Sequence, residues 1–236
     1  MANSTFLELT NKLLKRFNEV TISQSDFASV TGIHATAKDM INDSLREILH
    51  EQHQWSFNAV EQTDTLVAGT FEYAWPSDYK DAEWGSFQIQ ADDSLSVGTT
   101  VLERIDRTEF YRKWYDDARE GVDDSNYRAV PKYVFQTHGQ GFGLYPNPDA
   151  AYEIKYRYYK NFTALDAYDD ETTVPQEFDH VIIYCGMKHM NLFLDNYEQA
   201  NYCDKELFKP ALKSMRTLLI NDDFVMNDTR RRKVNG

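Results

Sequence analysis

His50, Glu51 and His53, in "HEQH", are the one place where two histidines and a carboxylate fall within four positions. A zinc hydrolase of the H-E-x-x-H type needs its histidines four apart, so that both ligands share a helix face with the glutamate as base. Here they are three apart, and they read as polar residues on the wet side of a helix end. "HGQGFG" (138–143) has glycines at alternate positions. A phosphate cradle needs a helix to follow, so that backbone N–H groups converge on the anion; Pro146 and a strand pattern follow instead, and the glycines are expected to serve a tight hairpin. Carboxylates cluster at Asp92–Asp93, Asp116–Asp117, Asp123–Asp124 and Asp169–Glu171. None has EF-hand spacing, and all fall in expected turns or helix ends. Cys185 lies on an apolar helical pattern and reads as a small core residue. There is no G-x-S-x-G. The expectation is no catalytic residue, no metal and no cofactor.

The elements that carry these residues change character along the chain. Thr5 and Glu8 have capping-box spacing, and Phe6, Leu9, Leu13, Leu14 and Phe17 follow at helical intervals, which predicts a helix over 5–18. A second helix is expected over 34–54, with Ala37, Ile41, Leu45 and Ile48 on one face. The period then falls to two. "TFEYAWP", "EWGSFQIQ" and "TTVLERID" read as strands, "TEFYRKWYDD" as a short helix. "KYVFQT", "GFGLYP" and "AYEIKYRYY" read as a three-strand meander turning at "HGQG" and "PNPD". Helices return after "DDETTVPQEF", with Pro175 suited to a first helical position. The helix carrying Ile182 and Leu192 is broadly apolar and is expected to pack on Ile41, Leu45 and Ile48. Pro210 predicts a kink or a fresh start in the last helix. The fold class is α+β, with N- and C-terminal helices forming a small bundle around an inserted antiparallel β region. The expected boundaries are 1–58 and 174–222 for the bundle, 59–173 for the β region, and 223–236 for a C-terminal extension that contacts a partner.

Composition narrows the function. The chain has 236 residues, 42% hydrophobic and 14% aromatic, with a net charge of −13. A chain of this length buries roughly 70–75% of its unfolded surface and needs no disulfide or metal to fold. Two cysteines, no C-x-x-C and no secretory leader suggest a reducing compartment, and no run approaches a membrane span. Phosphate binding needs clustered Lys and Arg, so the acidic body disfavours a DNA-binding role. The last fourteen residues differ: "DFVMNDTRRRKVNG" holds four basic and two acidic groups.

In "AYEIKYRYY", Tyr152, Ile154, Tyr156 and Tyr158 share one face, while Glu153, Lys155, Arg157 and Tyr159 share the other. One face buried and one wet describes an antiparallel strand rather than a ligand platform. A carbohydrate- or receptor-binding tail component is the competing class, with exposed Trp84, Trp114 and Tyr115 stacking on sugar rings. A metal-dependent hydrolase using His50, His53 and a carboxylate comes third.

Three segments in order carry a resemblance. "INDSLREI" leads to "QHQWSFN" (52–58), "GLYPNPDAAYEIKYRYY" follows in the middle, and "VPQEFDHVIIYCGMKHM" opens the last helices. Helix, W-S-F-N, a β region, L-Y-P-x-P with an aromatic strand, then P-x-x-F before an apolar helix resembles the head-to-tail adaptor proteins of bacteriophages. Those related to tubular tail protein A of short-tailed phages, also called gatekeepers, are the nearest likeness, over about residues 5–220. The resemblance implies a structural virion protein at the head–tail junction, made in the host cytoplasm. It implies a ring, commonly of twelve copies, beneath the portal protein, which continues the DNA channel and receives the tail nozzle or tail tube. Genome DNA would pass without sequence-specific binding, and no membrane is involved. It also implies a C-terminal segment extended onto the portal, with Phe224, Val225 and Met226 in a crevice and Arg230, Arg231, Arg232 and Lys233 on portal carboxylates. A ring of identical chains needs a contact between two different patches, for which Tyr145 and Tyr159 are the candidates.

Overall fold

The computed structural model describes residues 3–51, 54–92, 94, 97–139 and 141–219. They fall into two compact units: Ala59–Lys160, and the residues before and after it in sequence. A short strand β1 (Asn3–Thr5) runs into α1 (Phe6–Arg16), where Thr5 and Glu8 form the expected capping box. Phe6, Leu9, Leu13 and Leu14 line its buried face. After a loop, α2 (Ile33–Glu51) buries Ala37, Ile41, Leu45 and Ile48, as their spacing predicts. The W-S-F-N segment finishes this helix. Trp55 is fully buried and its indole Nε1 donates to the carbonyl of Ile48 at 3.0 Å, satisfying one of the carbonyls that a helix end leaves free.

The second unit holds β2 (Ala59–Thr65), β3 (Glu72–Ala74), β4 (Tyr79–Ala82), β5 (Gln88–Ile89), β6 (Thr100–Val101), β7 (Glu103–Arg104), α3 (Arg107–Lys113), α4 (Tyr115–Glu120), β8 (Tyr133–Gln136), β9 (Gly141–Tyr145) and β10 (Glu153–Lys160). One sheet has the order β2-β10-β5-β6, with β4 also paired to β10; the other has the order β3-β9-β8-β7. All pairs are antiparallel except β7 with β8.

The expected meander is therefore half right. β8 and β9 form the hairpin, but β10 leaves for the other sheet and pairs with β2 over seven residues. The turn at "PNPD" explains the departure. Two prolines withdraw backbone donors, and buried Asn147 is tied away from β9, its Nδ2 donating to the carbonyls of Gly69 (3.0 Å) and Ala118 (2.8 Å). The aromatic face of β10 is core, as its alternation predicts: Tyr152, Ile154, Tyr156 and Tyr158 are buried among Phe87, Phe142 and Trp84. Burial would strand their hydroxyls, so carboxylates accept from them, Asp64 from Tyr156 (2.7 Å) and Asp78 from Tyr158 (2.8 Å). Burial first, and these carboxylates second, push the Tyr158 phenol up to about 12.

Gly143 answers the alternate-glycine question differently from a hairpin. It sits inside β9 opposite Phe135, and a Cβ there would lie 2.1 Å from the Phe135 ring. The ring instead covers the glycine and stacks on Phe110 at 3.8 Å. Gly143→Ala is expected to destabilise by about 1–3 kcal/mol through overpacking, read as a lowered urea midpoint with an unchanged slope.

The chain then returns to the helices through β11 (Glu171–Pro175), which pairs with β1. α5 (Asp179–Phe193), α6 (Tyr197–Tyr202), a π-helical stretch Cys203–Phe208 and α7 (Lys209–Leu219) complete the unit. Residues 161–173, expected with the β region, belong here, because Phe162, Leu165 and Tyr168 pack on the helical core. Pro175 ends a strand rather than starting α5, and a short 3-10 turn intervenes. Pro210 lies just past the π-helical stretch, in a helical run that continues unbroken from Tyr197 to Leu219; the irregularity expected at this proline takes the form of that stretch rather than of a new helix start. α5 packs on α2 and on α1, where Gly186 lets Leu13 approach to 3.1 Å of the point a Cβ would occupy. Ile182 is in one core with Ile41, Leu45 and Ile48, but Leu192, expected there too, is 43% exposed.

Candidate functional site

The residues that looked chemical are used structurally. His50 is exposed on the last turn of α2, and Glu51 forms an ion pair with Arg216 at 2.5 Å. His53 lies outside the described residues. Two of the acidic clusters serve as local caps: Asp124 accepts from the Asn126 N–H (2.9 Å), and Asp170 from those of Asp166 (2.7 Å) and Ala167 (2.9 Å). Trp84, offered as a sugar platform, is only 6% exposed and stacks on Phe87. Trp114 is half-buried and lies against Tyr133 and Tyr145 of its own chain.

One cluster escaped the sequence. Glu47 of α2 faces Cys185, Lys188 and His189 of α5. The signal was present in part, since Cys185 and His189 are four apart and share a helix face; their partner is more than 130 residues away. Sulfur, nitrogen and oxygen ligand atoms here lie within 4.8 Å of one another. A divalent cation is nevertheless poorly served. The Lys188 ammonium already contacts both Glu47 oxygens (2.5 and 2.6 Å) and would repel it. Burial pushes the Cys185 thiol up to about 12, so it keeps its proton. His189 Nε2 is 2.9 Å from Glu47 Oε2 but is too poorly aligned for a good hydrogen bond. The cluster is an ion-pair knot joining two helices.

The knot makes a pH prediction. The His189 contact and Lys188 hold the Glu47 carboxyl at about 2, below its ordinary 4.5. A depressed carboxylate stabilises the fold above the unfolded value, so this contribution is full above about pH 4.5 and is lost as pH falls towards 2. After allowance for the partial exposure of Glu47, it is worth about 1–2 kcal/mol. Urea midpoints between pH 5 and 2.5 should fall more steeply for the natural chain than for Glu47→Gln.

Two surface features of the helical unit stand out among the described residues. A cleft of about 580 Å³ is lined by Lys12, Lys15, Arg16, Gln176, Glu177, Asp179, His180, Ile183 and Tyr184. Asp179 is engaged by Ser4 and Lys12, each at 2.5 Å. Lys15 and Arg16 are exposed and have no carboxylate partner among the described residues. At the other end of α5, every residue from 192 to 199 is exposed, including Leu192, Phe193, Leu194 and Tyr197. The apolar pattern of α5 had placed Leu192 in the core.

Of the expected contact residues, Tyr145 is half-buried, with its hydroxyl 3.4 Å from Asp117. Tyr159 is only 2% exposed, so it is not available to a neighbouring copy. It breaks the expected alternation where the pairing of β10 with β4 shifts register between Tyr159 and Lys160. Phe224, Val225, Met226, Arg230, Arg231, Arg232 and Lys233 lie outside the described residues. Among those described, no helix is long and apolar enough to cross a membrane.

No curated protein matches the chain. A family model described as SU10 adaptor protein matches residues 4–233, nearly the full length and across both compact units.

Proposed function

The chain belongs to the SU10 adaptor protein family, a family of phage head-to-tail adaptors, and on that premise we propose that it forms a ring beneath the portal. In this reading the ring, of twelve copies, continues the DNA channel and receives the tail nozzle or tail tube. The family match is the observation that carries the reading. The acidic body supports it: a surface of net negative charge repels the phosphate backbone, which suits a passage that DNA must slide through. The role is structural and needs no cofactor. Tyr145, half-exposed on β9, is one candidate contact between copies. The C-terminal segment is the candidate portal anchor, Phe224, Val225 and Met226 in a crevice and Arg230, Arg231, Arg232 and Lys233 on carboxylates, where the guanidinium fork favours arginine.

A phage lacking this chain is expected to fill its heads with DNA yet assemble no tails on them, as read by electron microscopy of lysates. Complete tailed particles in its absence would overturn the proposal.

A further inference from the structure

We propose that neighbouring copies join through the two ends of α5, the exposed apolar corner of one copy entering the basic cleft of the next. This deepens the ring reading and rests on it. The corner is Leu192, Phe193, Leu194 and Tyr197. Exposed apolar side chains are ordinary when scattered, but four large ones within six positions form a patch that marks an interface. Phe193 is 57% and Tyr197 66% exposed. The corner is held rather than loose: Asp195 takes a left-handed conformation (φ 56°), and the Asn196 N–H donates to the carbonyl of Asn191 at 2.9 Å, ending α5 sharply. Its charged groups, Asp195 and Glu198, are acidic.

The occupant follows from charge and shape. In a chain of net charge −13, copies repel one another unless the contact is locally complementary. The cleft offers that complement. Lys15 and Arg16 sit at its rim without carboxylate partners among the described residues, and Ile183 and Tyr184 give it an apolar wall. Its own acids offset this only in part, since Asp179 is already held by Lys12 and Ser4, leaving Glu177. Its volume of about 580 Å³ has room for large apolar side chains. The two patches differ from each other and lie at opposite ends of a helix of fifteen residues, about 20 Å apart. A contact between unlike patches is heterologous and closes into a ring when the rotation allows.

The test is native mass spectrometry of the full chain, alone and on portal particles. Phe193→Asp spoils the corner, and Lys15→Glu with Arg16→Glu spoils the cleft. All three positions are exposed, so the fold should be kept, with thermal midpoints lowered only slightly by carboxylates placed in the last turns of α1 and α5. The natural chain is expected to give rings, and each variant alone to lose them. An equal mixture of the two variants should give a one-to-one pair and nothing larger, because each keeps one intact patch. Adding Glu198→Lys to the cleft variant should restore rings, which separates charge complementarity from misfolding. Rings persisting in either variant would overturn this interface and leave the ring reading standing. A natural chain that forms no ring, alone or on the portal, would overturn both.

Discussion

Ile182→Ala is expected to destabilise the chain by about 2–5 kcal/mol. Ile182 is fully buried on α5, in one core with Leu13 of α1 and with Ile41, Leu45 and Ile48 of α2. Removing its outer carbons costs their transfer out of water and leaves a void between helices that cannot close, because α1 and α5 already touch at Gly186. The measurement is a urea midpoint at pH 7, with the slope checked for two-state behaviour. Leu192→Ala, on the same helix but exposed, is the control and should change stability by no more than about 0.5 kcal/mol. A near-neutral Ile182→Ala would mean that the helical core is drawn wrongly.

Removing residues 223–236 is expected to leave the fold intact and to abolish attachment to the portal. The described cores are built from residues up to Leu219, where the last described helix ends. The segment carries three apolar residues followed by four cations, on a body of opposite charge. A single such tail binds weakly, but a ring presents many at once, and linked sites gain about 10²–10⁴ in avidity through effective concentration. Attachment should therefore weaken with rising salt, as exposed ion pairs are screened. Sedimentation of portal particles with full-length and shortened chains reads the effect. If the shortened chain still decorates portals at physiological salt, the anchor lies elsewhere.

What the sequence disclosed was local. Thr5 and Glu8 place the start of α1 because the capping box is made within one turn. The alternation in β10 gives its buried face because strand geometry alone decides it. Partner choice was hidden. Nothing in "AYEIKYRYY" says that β10 joins β2 across some ninety positions rather than its neighbour β9; that choice depends on Asn147 and two prolines steering the chain away. The same holds for Glu47 and His189, which meet only because α2 packs on α5. The apolar pattern of α5 hid its exposed end, since periodicity records that a residue is apolar and not what covers it. For an assembly protein those unmet residues are the informative ones.

The most direct test of the adaptor reading is an electron micrograph of the purified chain mixed with its portal. The account predicts a ring of copies seated coaxially on one end of the portal, with an open channel through both. Portals that stay bare, or single copies scattered over their sides, would contradict it.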